Sequence, residues 1–153
     1  MSRRDQIRMT DTEIRDFLDE QRTLQVASIN RDGTPHLVAM WYGFIDGNIV
    51  FWTYGKSQKV ANLRRDPRVS CLVESGQKYE ELKGVSITGR GEISDDREYV
   101  QQVGAAVLPR YNQVVVDDGV RGVLQRMGAK RVAVTIRPAK IVSWDHTKLG
   151  GVY

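Results

Sequence analysis

The stretch FWTYGKSQKVANLRRDP, Phe51 to Pro67, decides how this chain is read. An apolar, aromatic strand from Ile49 to Thr53 runs into a short loop carrying Gly55, Lys56 and Ser57, and a helix bearing Lys59, Asn62, Arg64 and Arg65 follows at once. A helix start has unpaired backbone N–H groups and the positive end of a dipole, so it favours an anion. Ser57 is placed to act as N-cap or as a hydroxyl donor, and Lys59 adds a mobile ammonium suited to phosphate. Flat aromatic side chains beside such a site suit a ligand that joins a planar ring to a phosphate. The plainer reading is a common strand–loop–helix in which Trp52 and Phe51 are simply core.

At 153 residues the chain is long enough for one domain with a sizeable core and short for two. With 41% hydrophobic and 27% charged residues it reads as a soluble globular protein. No apolar run approaches the roughly twenty residues of a membrane helix, and MSRRDQIRMTD has no apolar stretch after its charges, unlike a secretory signal. The single Cys71 excludes an internal disulfide, and one Cys with two His argues against a structural zinc site. These features suggest the cytoplasm. A net charge of +4 permits an anionic partner, either nucleic acid or a phosphorylated or polycarboxylated cofactor. No helix-turn-helix, zinc-finger or aromatic RNA-binding signature accompanies it, which argues against nucleic acid.

Working outward, Thr10-Asp11-Thr12-Glu13 has the form of a capping box, and it predicts a helix from about Thr12 to Gln21. Leu24 to Asn30, His36 to Ile45 and Ile49 to Tyr54 read as three strands, joined by turns at Asp32-Gly33 and Asp46-Gly47 into an antiparallel meander. Val69 to Glu74 and Val85 to Ile93 are two further strands, the second with a bulge or bend at Gly89 and Gly91. A helix is expected from Ser94 to about Val107, ended by Pro109, and another from Val120 to Met127. Asn112 to Asp118 could be strand or buried loop. Arg131 to Ile136 and Ile141 to Trp144 read as two last strands around Pro138. The sum is a mainly β fold with short helices: six to seven antiparallel strands in one domain over residues 1–153, with an N-terminal helix inside 1–22, a C-terminal tail over 145–153, and strand spacing that favours a closed or nearly closed barrel.

Four segments resemble the pyridoxamine 5'-phosphate oxidase-like split β-barrel family, over roughly Leu24 to Leu149. Thr53, Ser57-Gln58-Lys59 and Asp66-Pro67 resemble its cofactor-phosphate segment. Pro35 to Trp41 looks like the strand whose backbone edges the flavin ring, Lys83 to Gly89 like its fifth-strand motif, and Trp144 to Leu149 like its terminal element. Two departures count against vitamin B6 oxidation: Gly84 stands where those oxidases have a Gln, and the chain has no Arg-x-His. YGKSQKVANLRRDPRVS, the Gly-Val-Ser strand and the Trp-Asp-His-x-Lys-Leu-Gly ending are more similar to the actinobacterial flavin/deazaflavin oxidoreductases, whose B group includes proteins that use coenzyme F420.

That resemblance implies a homodimer with two cofactor sites at the subunit interface, the C-terminal tail lying near it. It implies cofactor contacts from Val38, Met40, Trp41, Thr53, Lys56, Ser57, Lys59, Val60 and Asn62, and from Trp144 in the partner's C-terminal region. The acidic tail of F420 would suit Lys56, Lys59, Arg64, Arg65 and Arg68, though the last three also fit a solvated helix end. The expected chemistry is hydride transfer from the reduced cofactor to an unsaturated, planar, lipophilic small molecule, in a pocket walled by Trp41, Tyr42, Trp52 and Trp144, with Tyr79 and Tyr111 in covering loops. No protein nucleophile is needed. His146, and less so His36, are candidate proton donors, each also readable as a surface or interface residue. The alternatives are an FMN-dependent oxidoreductase of the same barrel, a non-catalytic flavin-, haem- or tetrapyrrole-binding module, and a nucleic-acid binder.

Overall fold

In the computed structural model, which describes residues 1–151, alternating apolar residues build seven antiparallel strands: β1 Leu24–Ile29, β2 Pro35–Met40, β3 Gly43–Ile45, β4 Asn48–Tyr54, β5 Arg68–Ser75, β6 Lys83–Ser94 and β7 Arg131–Asp145. Five helices accompany them: α1 Arg3–Gln6, α2 Asp11–Glu20, α3 Gln58–Arg65, α4 Arg97–Tyr111 and α5 Asp118–Gly128. The expected capping box is present, with Thr10 Oγ1 accepting from Glu13 N–H and Glu13 accepting from Thr10 N–H. Asp46 and Gly47 both adopt positive φ, 52° and 77°, the type I′ turn that an Asp-Gly pair specifies.

The three-strand meander is corrected. The sheet order is β2-β1-β5-β6-β7-β4-β3, so β2 and β3, consecutive in sequence, lie at opposite edges. The stretch from His36 to Ile45 is therefore two strands, broken at Trp41 and Tyr42. Only those two residues link the edges. Three Cα steps of about 3.8 Å reach at most about 11 Å, so the sheet has to curl almost into a barrel. The break has a cause in the side chains. Tyr42 turns inward, fully buried, and its hydroxyl donates to the Leu18 and Gln21 carbonyls at the end of α2. Arg110 donates to Tyr42 O (2.9 Å) and to the same two α2 carbonyls, pairs with Asp19 at 2.9 Å, and stacks over the Tyr42 and Phe44 rings.

The last two expected strands are one. β7 continues through Pro138, because Pro138 sits opposite Gly89 at a register shift where no ladder N–H is required. A Cβ on Gly89 would lie 2.1 Å from Arg137 O, so the bulge needs glycine there. The expected end of α4 at Pro109 also moves: the proline falls in the final turn, and the helix carries on to Tyr111. Asn112 to Asp117 is loop. Two apolar cores result. Val26, Phe51, Val73, Val85, Val134 and Ile136 fill the barrel, while Val50, Trp52 and Ala133 on the other side of the sheet pack under Val100, Val103, Val107 and Leu124 of α4 and α5. The tail after β7 is anchored: Lys148 Nζ donates to Arg8 O and Glu13 Oε2 at 2.8 and 2.7 Å.

Burial raises the Tyr42 phenol to about 12, so it stays protonated, and keeps donating, well past the ordinary tyrosine range. With the folded value above the unfolded one, this contribution is present below about 10 and is lost as pH rises toward 12. We expect Arg110→Ala to lower unfolding free energy by about 2–4 kcal/mol in urea titrations with an unchanged m-value. A loss under about 0.5 kcal/mol would show that the Tyr42 crossover does not depend on it.

Candidate functional site

α3 plugs one end of the barrel. Leu63 reaches the barrel core, close against Gly91 of β6, and Val60 is fully buried. Around it lies a layer of polar side chains. On β4, Phe51 and Thr53 point inward and Trp52 outward, and Lys59 Nζ donates to Thr53 Oγ1 at 3.0 Å. Burial pulls the Lys59 ammonium below its usual range, as expected for a cation in a partly dry setting without a carboxylate partner.

The start of α3 is open in a way the other α-helices are not. Ser2, Thr10, Asp96 and Asp117 each accept a backbone N–H at their own helix starts. Ser57 occupies the N-cap position of α3 with extended φ/ψ, but its hydroxyl caps nothing; Oγ is buried with no hydrogen-bond partner. The first helical bond runs from Ala61 N–H to Ser57 O at 3.1 Å, so the N–H groups of Gln58, Lys59 and Val60 precede the ladder. An unpaired buried hydroxyl costs about 1–3 kcal/mol, which an acceptor at this spot would remove. Three amides and a hydroxyl are thus free at one helix start, with the ammonium of Lys59 held at Thr53 on the strand that leads into it, a donor set for a phosphate oxygen cluster.

Asn62 does a different job. Its Nδ2 donates to Ser28 Oγ and Asn30 Oδ1, both at 3.0 Å, and its Oδ1 accepts from Gln58 Nε2 (2.9 Å) and Arg65 (3.2 Å). That uses both donors and both lone pairs, so Asn62 fastens α3 to β1 and has no capacity left for a ligand. Ser28, Asn30 and Gln58 had no sequence signal for this role; their pairing is set by how α3 docks. His36 faces inward directly opposite Ser28, its Nδ1 buried and unpartnered.

The remaining expected residues fall in different places. Arg64 pairs with Asp95 at 2.9 Å and Arg65 donates to Ile29 O. Arg68 grips Asp66 through both carboxylate oxygens, holding that carboxyl down to about 2. These three arginines serve the fold. Lys56 is exposed, with no ion pair to a described residue. Val38 and Met40 send their side chains into the core, and Leu37, 65% exposed, points the other way on the same edge strand. Trp41 is 52% exposed and stacked on Tyr111 at 4.3 Å between ring centroids, so Tyr111 supports it rather than covering a pocket from a loop. Trp52 and Tyr42 are core, not pocket wall. Trp144 lies over Gly84, where a Cβ would come within 2.1 Å of the indole; that contact is why a side chain is missing there. His146 Nδ1 meets Tyr79 O at 2.9 Å in the 3-10 turn His146–Leu149.

The sheet register separates these residues into two groups. Ser28 is level with Val69 and Gly89, whereas Trp144 is level with Gly84, five residues along β6 and about 17 Å away at the strand rise. Trp41 and Trp144 therefore stand toward one end of the barrel wall, and Thr53, Ser57, Lys59 and Asn62 at the other. Among the described residues, no His, Cys, Asp and Glu side chains group to hold a metal ion, and no helix is long and apolar enough to cross a membrane.

A curled antiparallel sheet whose two edges come together without hydrogen-bonding to each other, with a helix plugging one end, is a split β-barrel. Residues 10–145 match the pyridoxamine 5'-phosphate oxidase family, and the chain belongs to it. Among solved structures, the conserved hypothetical protein Rv2991 from Mycobacterium tuberculosis is 45% identical over 100% of this chain and 95% of that one, with a TM-score of 0.93. An F420 reductase is 22% identical over 82% of this chain and 93% of its own, TM-score 0.63. The haem storage protein HutZ from Vibrio cholerae is 18% identical over 87% and 94%, TM-score 0.68. With these last two the chain shares the fold. Among curated proteins none matches it.

Replacing Asn62 by Leu keeps volume and removes all four hydrogen bonds. We expect about 2–4 kcal/mol of lost stability, read by thermal or urea unfolding, because Ser28 and Gln58 are left without their partner. A loss under about 0.5 kcal/mol would mean α3 is held by Val60 and Leu63 alone.

Proposed function

We propose that this protein is an F420-dependent reductase of the actinobacterial flavin/deazaflavin group, acting as a cytoplasmic homodimer on a planar, lipophilic, unsaturated small molecule. One observation carries the reading: the uncapped start of α3, where the buried Ser57 hydroxyl and the Gln58, Lys59 and Val60 amides lack acceptors beside Lys59. That donor set fits the phosphate of F420. It fits FMN equally, and an FMN-dependent enzyme is the second reading. The family match accommodates either cofactor; the shared fold with a structure named F420 reductase and the exposed Lys56, free to meet an acidic tail, favour F420. A haem or tetrapyrrole module draws support from the HutZ likeness, but a porphyrin has no phosphate to satisfy Ser57.

The dimer is supported by the outer face of β2, β1, β5, the first half of β6 and the part of β7 after Pro138, away from α4 and α5, where Leu37 and Ala39 stand exposed beside the half-buried Ala27, Leu72 and Val142. The two-group register supports it too, since Trp144 and His146 would reach a cofactor held at Ser57 from the partner subunit.

When bound, the reduced cofactor supplies a hydride to an electron-poor C=C or C=N. Ser57 Oγ and the α3 amides would hold its phosphate, Lys59 would turn from Thr53 toward that charge, and Asn62 fixes the helix that presents them. The β2 edge at Val38 to Met40 would offer backbone groups to the ring, and the Trp41–Tyr111 stack, level with Trp144, would add a flat apolar wall from the partner subunit and exclude water. His146 donates its Nδ1–H to Tyr79 O, so a protonated ring has Nε2–H left to give the reduced substrate its proton.

Fluorescence titration with F420, and in parallel with FMN, tests this. Micromolar or tighter F420 binding is expected, weakened at least tenfold by Lys59→Ala and by Ser57→Ala, with both variants folded and the melting temperature of free Ser57→Ala no lower than that of the native protein. Tighter FMN than F420 binding would move the protein to the second reading, and binding of neither would remove both. Because burial depresses the Lys59 ammonium, affinity should fall with rising pH before the ordinary lysine range is reached, and Lys59→Arg should abolish that fall. A flat profile in the native protein would take Lys59 out of the site.

A further inference from the structure

Beneath α2, between that helix and the inner wall of the barrel, lies a hollow of about 540 Å³ to which neither Ser57 nor Lys59 contributes. Ile14 and Leu18 of α2 form its roof; Phe44, Ile87, Ile136 and Ile141 form its floor and sides. α2 packs on the core through Phe17, Leu18 and Ile14, and polar ties fix it near both ends. Glu13 is held by Lys148 at one, and the Leu18 and Gln21 carbonyls by Tyr42 and Arg110 at the other. Beside it, the bulge that places Pro138 opposite Gly89 inserts Ala139 and bends the wall, leaving Ile141 44% exposed. Isoleucines facing a void of this size forgo the packing that a buried apolar side chain normally has.

We infer that this hollow is a binding site for a small neutral lipophile, separate from the α3 anion site and independent of the function proposed above. Its volume lies within the roughly 300–1,000 Å³ of small-molecule sites. Two turns of helix, about 11 Å long and 10–12 Å wide, would need roughly 1,000 Å³, so the space suits a small molecule and not a docked helix. Charge selects a neutral occupant. The rim carries Asp11 and Arg15, one turn apart and opposite in sign, while Asp19, the remaining rim acid, is paired with Arg110. An ionised head group would meet its like charge as well as its opposite, and drawn inside it would lose its hydration against isoleucine. A hydroxyl or ester end meets donors and acceptors at the rim without that penalty.

The test uses the neutral fluorescent probe N-phenyl-1-naphthylamine with the full chain, and 1-decanol, decanoate and decylamine as competitors. Saturable enhancement at one probe per chain is expected, with 1-decanol displacing it at least tenfold more effectively than either charged analogue. Ile141→Trp, a filling substitution at a partly exposed position, should cut probe affinity at least tenfold; Ile14→Trp, from the roof, gives the same readout should the first variant fold poorly. Absence of saturable binding would overturn the inference, as would equal displacement by decanoate. Native affinity in both folded variants would do so too. Binding that disappears as the chain self-associates would give the hollow to a second copy, against the inference.

Discussion

Two residues, Trp41 and Tyr42, join the opposite edges of the sheet, and the architecture follows from that short link. A flat seven-stranded sheet would place its edges near 28 Å apart at the inter-strand spacing, far beyond what two residues span. The sheet must curl, and its interior becomes the main core. The link is fixed by Tyr42 and Arg110, which also satisfy the carbonyls at the end of α2. One clamp therefore closes the barrel, ends a helix and docks α4. The same clamp, with the Lys148 tether, fixes both ends of α2 beside the hollow.

Closure also creates the barrel end that α3 fills. Leu63 and Val60 give α3 its apolar anchor, and the saturated Asn62 amide fixes its rotation. With the helix held so firmly, its start can remain unsatisfied. An orphan hydroxyl and three free amides carry a cost, and the surrounding packing is what sustains it. Such a retained defect, at a helix start beside a desolvated lysine, is what supports the proposed phosphate site over an ordinary strand–loop–helix.

Much of this was legible in the sequence. The capping box at Thr10, the Asp46-Gly47 turn, the strand–loop–helix from Ile49 to Arg65 and the bulge at Gly89 are all local, and local chemistry specifies them. What the sequence concealed is long-range. His36 to Ile45 has continuous strand character, and nothing in it says that two inward-turned residues send the chain across the barrel. Pro138 looks like a break until Gly89 is found opposite it. Arg64, Arg65 and Arg68 look like an anion patch, but Asp95, Ile29 O and Asp66 occupy them, partners that local sequence reveals only for Arg68. Trp52 has the aromatic character of a pocket wall, and it is the docking of α4 that buries it.

Amide NMR reads directly whether the start of α3 binds the cofactor's phosphate. In a ¹H–¹⁵N titration of the native protein with F420, the Gln58, Lys59 and Val60 amide protons should move downfield together, saturating at one cofactor per chain. Saturable binding that shifts other amides and leaves these three in place would contradict it.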